Sequence, residues 1–289
     1  MRPDYIGRFA PSPSGPLHFG SLAAALMSYL DAKSHGGEWH LRIDDIDTTR
    51  CVEGADKLII DCLHAHGFRW DGDIIYQPTQ YSHYQSARSK LEQEGLVYGC
   101  DCPRKRTAGK AYDRYCLTKT EALNMPFAMR YKAPLQSPLF SDIWQGNIKA
   151  ESLDDIIVWR KDQLCAYQLA VVIDDNQLGA SHIIRGADLL PPTPAQASLY
   201  EALGYTLPTY GHFPVLLDSN GNKLSKQNHA PALNNETASQ NIKLVLKAMG
   251  QTDLPKTADT PKKVLAVAAD QWDRTALPNS DIAWHNCDT

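Results

Sequence analysis

The chain has 289 residues, 43% of them hydrophobic and 21% charged, enough to bury a full core in one large or two modest domains. A formal net charge of -4 excludes a globally basic nucleic-acid binder, so any RNA contact has to be regional. No apolar run reaches the roughly 18 to 20 residues of a membrane helix, and the start, MRPDYIGRFAPS, lacks the apolar core of a signal peptide, so the expectation is a cytoplasmic protein with no membrane partner.

In chain order, residues 5–10 read as a strand, Phe19–Ser34 as an Ala- and Leu-rich helix, residues 39–43 as a second strand and residues 53–66 as a second helix. Gly36 and Gly37 close the first helix and Gly67 the second, as glycine does just past a helix end. That alternation predicts a parallel α/β sheet. From about 95 to 166 the pattern turns irregular, with clustered cysteines, several prolines and short alternating runs such as 127–131, which reads as an insertion. The α/β rhythm resumes with an expected apolar strand at 169–173, a strand at 181–185 and a helix over Thr193–Leu203 with Pro194 in its first turn. The stretch after Gln227 reads as two or three short helices.

Two segments carry chemistry. Arg8-Phe-Ala-Pro-Ser-Pro-Ser-Gly-Pro-Leu-His18-Phe-Gly20-Ser21 links the first strand to the first helix. Its prolines and Gly15 stiffen the turn, Gly20 leaves room for a flat base, and His18 sits near helix amides that favour phosphate. The same residues also fit a Pro-rich turn with a capping histidine. Lys223-Leu-Ser225-Lys226-Gln227 follows the turn-forming Asp218-Ser-Asn-Gly-Asn222. A lysine there, Lys226 first, could stabilise charge building on departing pyrophosphate; a solvated hairpin tip fits as well.

Together the segments resemble the HIGH and KMSKS signatures of class I aminoacyl-tRNA synthetases, as His18-Phe-Gly20-Ser21 and Lys223-Leu-Ser-Lys-Gln227. Leu41-Arg-Ile-Asp-Asp-Ile-Asp-Thr-Thr-Arg50 and Arg185-Gly-Ala-Asp-Leu-Leu190 are similar to the glutamyl branch of that class, and the resemblance spans roughly residues 5 to 230. It implies a Rossmann-like α/β catalytic domain in two halves, 1–95 and 167–227, split by a zinc-containing insertion at 96–166 and followed by a short helical region at 228–289. His18 and Lys226 are the expected catalytic groups, and His18, Gly20, Lys223, Ser225 and Lys226 the ATP-binding set. Glutamate has two carboxylates and an ammonium, so its pocket needs both signs. Arg8 and Arg185 suit the carboxylates, since arginine pairs with them bidentately, and Asp44 the ammonium. The resemblance adds Phe9, Ala10, Pro11, Ser12 and Tyr167, the last expected at the entrance to a strand over 168–174. Asp44 departs from the family's usual glutamate by one methylene, which calls for a water or a shifted substrate.

Seven cysteines, an odd number, argue against a disulfide framework. Cys100-Asp-Cys102 with Tyr112-Asp-Arg-Tyr-Cys116 offers three thiols where a tetrahedral zinc site needs four ligands, so on spacing alone both a metal site and unligated cysteines fit. The pattern resembles the zinc insertion of the glutamyl-Q tRNA(Asp) synthetases, in which a tyrosine oxygen is the fourth ligand, and this implies one structural zinc on Cys100, Cys102, Tyr112 and Cys116. Tyr115 is a rival, but the step from Tyr112 to Cys116 is the family's own. Cys51, Cys62, Cys165 and Cys287 read as structural or incidental. Arg104, Lys105, Arg106, Lys110 and Arg114 form a locally basic stretch that fits RNA phosphates or a solvated loop and is assigned to neither.

In this family a large helical domain beyond the KMSKS loop reads the anticodon, and the remaining 62 residues have no room for one. The resemblance therefore implies tRNA-independent activation of L-glutamate by ATP with magnesium, then transfer to queuosine in the anticodon of tRNA(Asp). A truncated glutamyl-tRNA synthetase charging the 3′ end of tRNA(Glu) is the alternative. A nucleotide-binding module without catalysis is opposed by His18, Lys226 and Arg8, and a different adenylating enzyme of the same superfold would lack the need for the paired arginines.

Overall fold

The computed structural model describes residues 3–107, 111–225, 228, 230–251, 254–255 and 257–284. The chain divides into two compact units, one comprising Met1–Tyr76, Ala180–Leu189 and Thr209–Thr289, the other Gln77–Gly179 and Leu190–Pro208. Among the described residues no helix is long and apolar enough to cross a membrane.

The first unit opens with β1 (Ile6–Phe9), α1 (Phe19–Ser34), β2 (Glu38–Ile43), α2 (Ala55–Ala65) and β3 (Ile75–Tyr76). The second contributes α3 (Tyr81–Gln93), β4 (Val97–Cys100), α4 (Arg104–Thr107), α5 (Tyr115–Thr118), β5 (Ala128–Tyr131), β6 (Phe140–Asp142), β7 (Gly146–Ile148), β8 (Ile157–Trp159) and α6 (Tyr167–Leu178). Then come β9 (His182–Gly186) in the first unit, α7 (Thr193–Leu203) in the second, and β10 (Thr209–Phe213), β11 (Leu216–Leu217), α8 (Ala238–Ala248), α9 (Pro261–Asp270) and β12 (Ile282–Ala283) in the first.

In the first unit β1, β2 and β3 pair in parallel, Ile6 opposite Glu38 and Arg42 opposite Ile75, and β9 pairs in parallel with β10. The Ser181 amide donates to the Ile6 carbonyl, and the Tyr5 ring stacks on His182 at 3.9 Å. The starts of β1 and β9 therefore adjoin. Helix α1 packs on β1, β2 and β9. Leu22, Ala25, Leu26, Met27 and Leu30 are all buried, so the helix is apolar on more than one face, as expected of an element enclosed by its neighbours. It ends as the glycine pattern requires, with Gly36 in the left-handed region at φ +66°. Trp39, Tyr29 and Phe68 form an aromatic cluster beneath the sheet.

In the second unit β4, β5 and β8 make an antiparallel sheet and β6 with β7 a hairpin. Helices α3, α6 and α7 pack together, and the buried carboxylate of Asp174 accepts from Tyr84 Oη at 2.6 Å and Gln77 Nε2 at 2.8 Å. Here one expectation is overturned: residues 169–173 are not a strand but the middle of α6, and Tyr167 is that helix's first residue. Every residue from Leu169 to Asp175 is buried, so the run shows no helical periodicity, and a short apolar run of this kind reads equally as strand or enclosed helix. Gly179, at φ +74°, closes it.

Candidate functional site

The residues expected to bind glutamate in the first unit lie where its parallel strands end. Arg8 is the penultimate residue of β1, Arg185 of β9, and Asp44 follows directly on β2, its amide donating to the Pro11 carbonyl at 3.0 Å. Ligands of open α/β sheets bind beyond these carboxyl ends. All three side chains are buried, although charged. Arg42 Nε donates to Asp44 Oδ1 at 2.7 Å, so this carboxylate already shares its charge with a buried guanidinium. Arg185 Nε donates to Nε2 of the fully buried His212, which β10 holds directly opposite.

The loop from Ala10 to Leu17 borders a cavity of about 720 Å³. Of the residues expected at the site, Phe9, Pro11, Ser12, His18, Gly20, Lys223 and Ser225 line it, together with Arg50. His18 is the N-cap of α1: its Nδ1 accepts from the Ser21 amide at 3.2 Å, which leaves the proton on Nε2. Burial and the nearby charge of Lys223 lower its pKa to about 4, so the ring is neutral at neutral pH. The neutral imidazole is a hydrogen-bond donor without a charge of its own, and its Nε2 lies 3.1 Å from Ser21 Oγ. Lys223 meets Asp188 at 2.5 Å. The preceding turn is held by Asp218, which accepts from the amides of Asn220 and Asn222, with Gly221 at φ +78°.

Gly20 has a role in this structure that spacing did not reveal. A Cβ on it would stand 2.6 Å from the Leu224 carbonyl, so the absent side chain is what lets the Lys223–Ser225 backbone approach the start of α1. Lys226 and Gln227 lie outside the described residues. Tyr167, in the second unit, is 41% exposed at the first turn of α6.

The second unit gathers the cysteine cluster. The sulfurs of Cys100, Cys102 and Cys116 lie within 4.8 Å of one another. The Tyr112 hydroxyl is 3.5 Å from Cys100 Sγ and 3.6 Å from Cys102 Sγ, and accepts from the Cys116 amide at 2.9 Å. Tyr115 is instead exposed and stacks under Arg106. Burial works against a thiolate at Cys100, but hydrogen bonds from Tyr112 and Arg130 bring its pKa down to about 7. This cluster could hold a metal ion. In the adjoining basic stretch Arg106 pairs with Asp113 and Arg114 with Asp155, while Lys110 lies outside the described residues. Cys51, Cys62 and Cys165 are free thiols; Cys287 lies outside the described residues.

A family model for the catalytic domain of class I tRNA synthetases (E and Q) matches residues 6–243. The chain belongs to that family. It is 44% identical over 282 residues to the glutamyl-Q tRNA(Asp) synthetase of Pectobacterium atrosepticum, covering 95% of this chain and 87% of the relative. The protein of the same name from Citrobacter koseri is also 44% identical, with 96% and 94% covered. The crystal structure of a glutamate tRNA ligase from Elizabethkingia meningosepticum in complex with its amino acid superposes with a TM-score of 0.82 over 97% of this chain and 67% of that one. At 23% identity that likeness shows the fold, a class I α/β catalytic domain.

Arg42, His212 and Arg130 were not evident in the sequence; each hydrogen-bonds to an expected site residue, respectively Asp44, Arg185 and Cys100. Arg42 alone had a local signal, standing on β2 two positions before Asp44, which follows that strand directly.

Proposed function

We propose that this chain activates L-glutamate with ATP, without tRNA, and transfers the glutamyl group to queuosine in the anticodon of tRNA(Asp). The observation that carries this is 44% identity across 95% of the chain to a relative named for that activity. Charging of tRNA(Glu) at its 3′ end, the other reading, draws on structural likeness at 23% identity, which speaks to fold only.

In this reading Arg8 and Arg185 hold the carboxylates of glutamate and Asp44, with Arg42 behind it, receives the ammonium. Two buried arginines near the carboxyl ends of β1 and β9 support an acidic substrate, each charge-assisted hydrogen bond contributing roughly 1.5 to 3 kcal/mol. Tyr167 adds its hydroxyl. The backbone of Phe9, Ala10, Pro11 and Ser12 shapes the floor between glutamate and nucleotide. ATP occupies the cavity lined by His18 and Gly20, with magnesium on its phosphates. The α-carboxylate oxygen attacks the α-phosphorus, the bond to the β-phosphate bridging oxygen breaks, and pyrophosphate leaves. The neutral Nε2–H of His18 and the ammoniums of Lys223 and Lys226 stabilise the charge that builds during this step. A queuosine hydroxyl then attacks the adenylate carbonyl, losing its proton as AMP departs. Positioning and electrostatics account for both steps without a protein nucleophile.

The cysteine cluster is read as a structural zinc site with Cys100, Cys102, Tyr112 and Cys116 as ligands, one ion per chain. Three sulfurs and a phenol oxygen already gathered in a partly buried cluster suit a tetrahedral ion, for which sulfurs about 3.8 Å apart are ideal. The ion would cross-link β4 to the start of α5, a fold element too short to hold itself.

The test is transfer of labelled glutamate to purified tRNA(Asp) with and without queuosine, alongside tRNA(Glu). Labelling confined to queuosine-containing tRNA(Asp) is expected; labelling of tRNA(Glu) alone would overturn the proposal.

A further inference from the structure

Arg130, on β5, is buried at 6% exposure, and its surroundings are unusual for a permanent cation. Nε donates to Cys100 Sγ at 3.2 Å, Nη1 donates to the Asp155 carbonyl at 2.5 Å, and the guanidinium lies 3.7 Å from the centre of the Tyr112 ring. Among the described residues no carboxylate is in ion-pair contact with it. Acidic groups nearby are matched elsewhere: Asp155 takes Arg114 at 2.8 Å, Asp101 takes Lys119 at 2.9 Å, Asp162 takes Arg160 at 2.6 Å, and Asp154 accepts from the Tyr112 amide at 2.8 Å. A buried charge without a counterion is strongly unfavourable, so something in this cluster has to supply the negative charge.

The ligand set supplies it. Three thiolates and a phenolate around a divalent ion leave a net charge of about two negative units, as much in need of compensation as the arginine. We propose that Arg130 is the countercharge of this metal site, offsetting the excess anion and fixing Cys100 and Tyr112, one through its Nε and the other beneath its guanidinium face. Partners behind metal ligands typically alter affinity 10- to 100-fold when removed. The inference rests on the zinc reading above. It goes beyond it by explaining how a tyrosine oxygen is tolerated as fourth ligand: the planar guanidinium covers the ring and partly neutralises the set that the phenolate makes more negative. Arg130, Cys100 and Cys102 also line a cavity of about 250 Å³, which gives an ion and a chelator a route to the site.

The experiment uses the full chain loaded with zinc and compares the wild type with Arg130→Gln and Arg130→Lys. Gln keeps a donor for the Asp155 carbonyl but removes the charge, whereas Lys keeps the charge and loses the planar fork. Zinc affinity is read by competition with a chromogenic chelator, and ligand identity by the thiolate-to-metal absorption of the cobalt-substituted protein. Arg130→Gln is expected to bind zinc 10- to 100-fold more weakly with Lys in between. Zinc affinity of Arg130→Gln within twofold of wild type, or Lys weaker than Gln, would overturn the countercharge role, the latter because packing alone would then explain the loss. If Gln does not fold, Lys is compared with wild type: a loss smaller than tenfold with unchanged cobalt absorption supports the role, and complete loss of binding overturns it. Failure of the wild type itself to take up zinc overturns the metal reading, and this proposal with it, independently of either variant.

Discussion

Arg185 Nε donates to His212 Nε2 at 3.0 Å, between residues that neighbouring parallel strands set directly opposite each other. Because Nε2 accepts, the imidazole is neutral with its proton on Nδ1. His212 thereby fixes the guanidinium at one nitrogen and so sets its orientation. His212→Leu should raise KM for glutamate about tenfold or more, in line with a lost charge-assisted hydrogen bond of roughly 1.5 to 3 kcal/mol, with little change in KM for ATP. His212→Gln, which restores an acceptor, should recover part of the loss. Steady-state pyrophosphate exchange with each substrate varied in turn decides this; equal rises in both KM values would refute the positioning role.

Gly20→Ala tests the contact between the two signature segments. The new Cβ would stand 2.6 Å from the Leu224 carbonyl, and backbone cannot move aside as a flexible side chain can. Relieving such overpacking costs about 1 to 3 kcal/mol. Its expected result is displacement of the Lys223–Ser225 segment, with adenylate formation falling at least tenfold and the melting temperature dropping only a few degrees. Wild-type exchange rates in a folded Gly20→Ala protein would show that the close approach is dispensable.

The sequence announced the parts of this site that depend on neighbours along the chain. The cap on α1 and the helices Phe19–Ser34 and Thr193–Leu203 follow from periodicity and from glycine or proline at their ends. Tyr112 came from the resemblance to the family's zinc insertion and not from spacing alone; its hydroxyl accepts from the Cys116 amide at 2.9 Å. What stayed hidden is what long-range packing decides. The burial of both faces of α6 erased its period, and Arg130 reaches Cys100 only because β5 pairs with β4. His212 likewise meets Arg185 across 27 residues of chain.

The lowered pKa of His18 makes a signed prediction. Burial, with the charge of Lys223, puts it near 4 in the folded chain against about 6.5 when unfolded. As pH falls from 6.5 to 4 the unfolded chain binds a proton that the folded chain refuses, so stability declines through that window. His66 and His182, also lowered mainly by burial, add to the slope. His18→Asn keeps a cap acceptor for the Ser21 amide and removes the titration. Its stability should fall less steeply between pH 6.5 and 4, while adenylate formation at neutral pH drops sharply. Thermal unfolding across that range, with nuclear magnetic resonance of the His18 ring, checks both; a ring half-protonated near pH 6.5 would contradict the neutral-donor role.

Arg274→Met probes how the C-terminal segment is tied to α1. The fully buried Asp31 accepts from Arg274 Nε at 2.6 Å and Nη2 at 2.9 Å, from Trp272 Nε1 at 3.0 Å and from Tyr5 Oη at 2.5 Å. Burial opposes its ionisation, but the Arg274 and Tyr5 hydrogen bonds outweigh that and hold the carboxyl below the usual range. Removing Arg274 leaves Asp31 enclosed with neutral donors only. Breaking a buried pair typically costs 3 to 5 kcal/mol, and the arginine side chain here is 30% exposed, so a loss of about 2 kcal/mol at pH 7 is expected. The sign with pH follows from the depressed carboxyl. The stabilisation is complete above the unfolded pKa of about 3.9 and disappears as pH falls through the lower folded value, so the gap between wild type and variant should close in acid. Urea unfolding at pH 7 and below pH 4 measures that gap directly. A gap that stayed constant down to the lowest pH would mean that Arg274 stabilises the segment through its packing against α1 and not through the charge of Asp31.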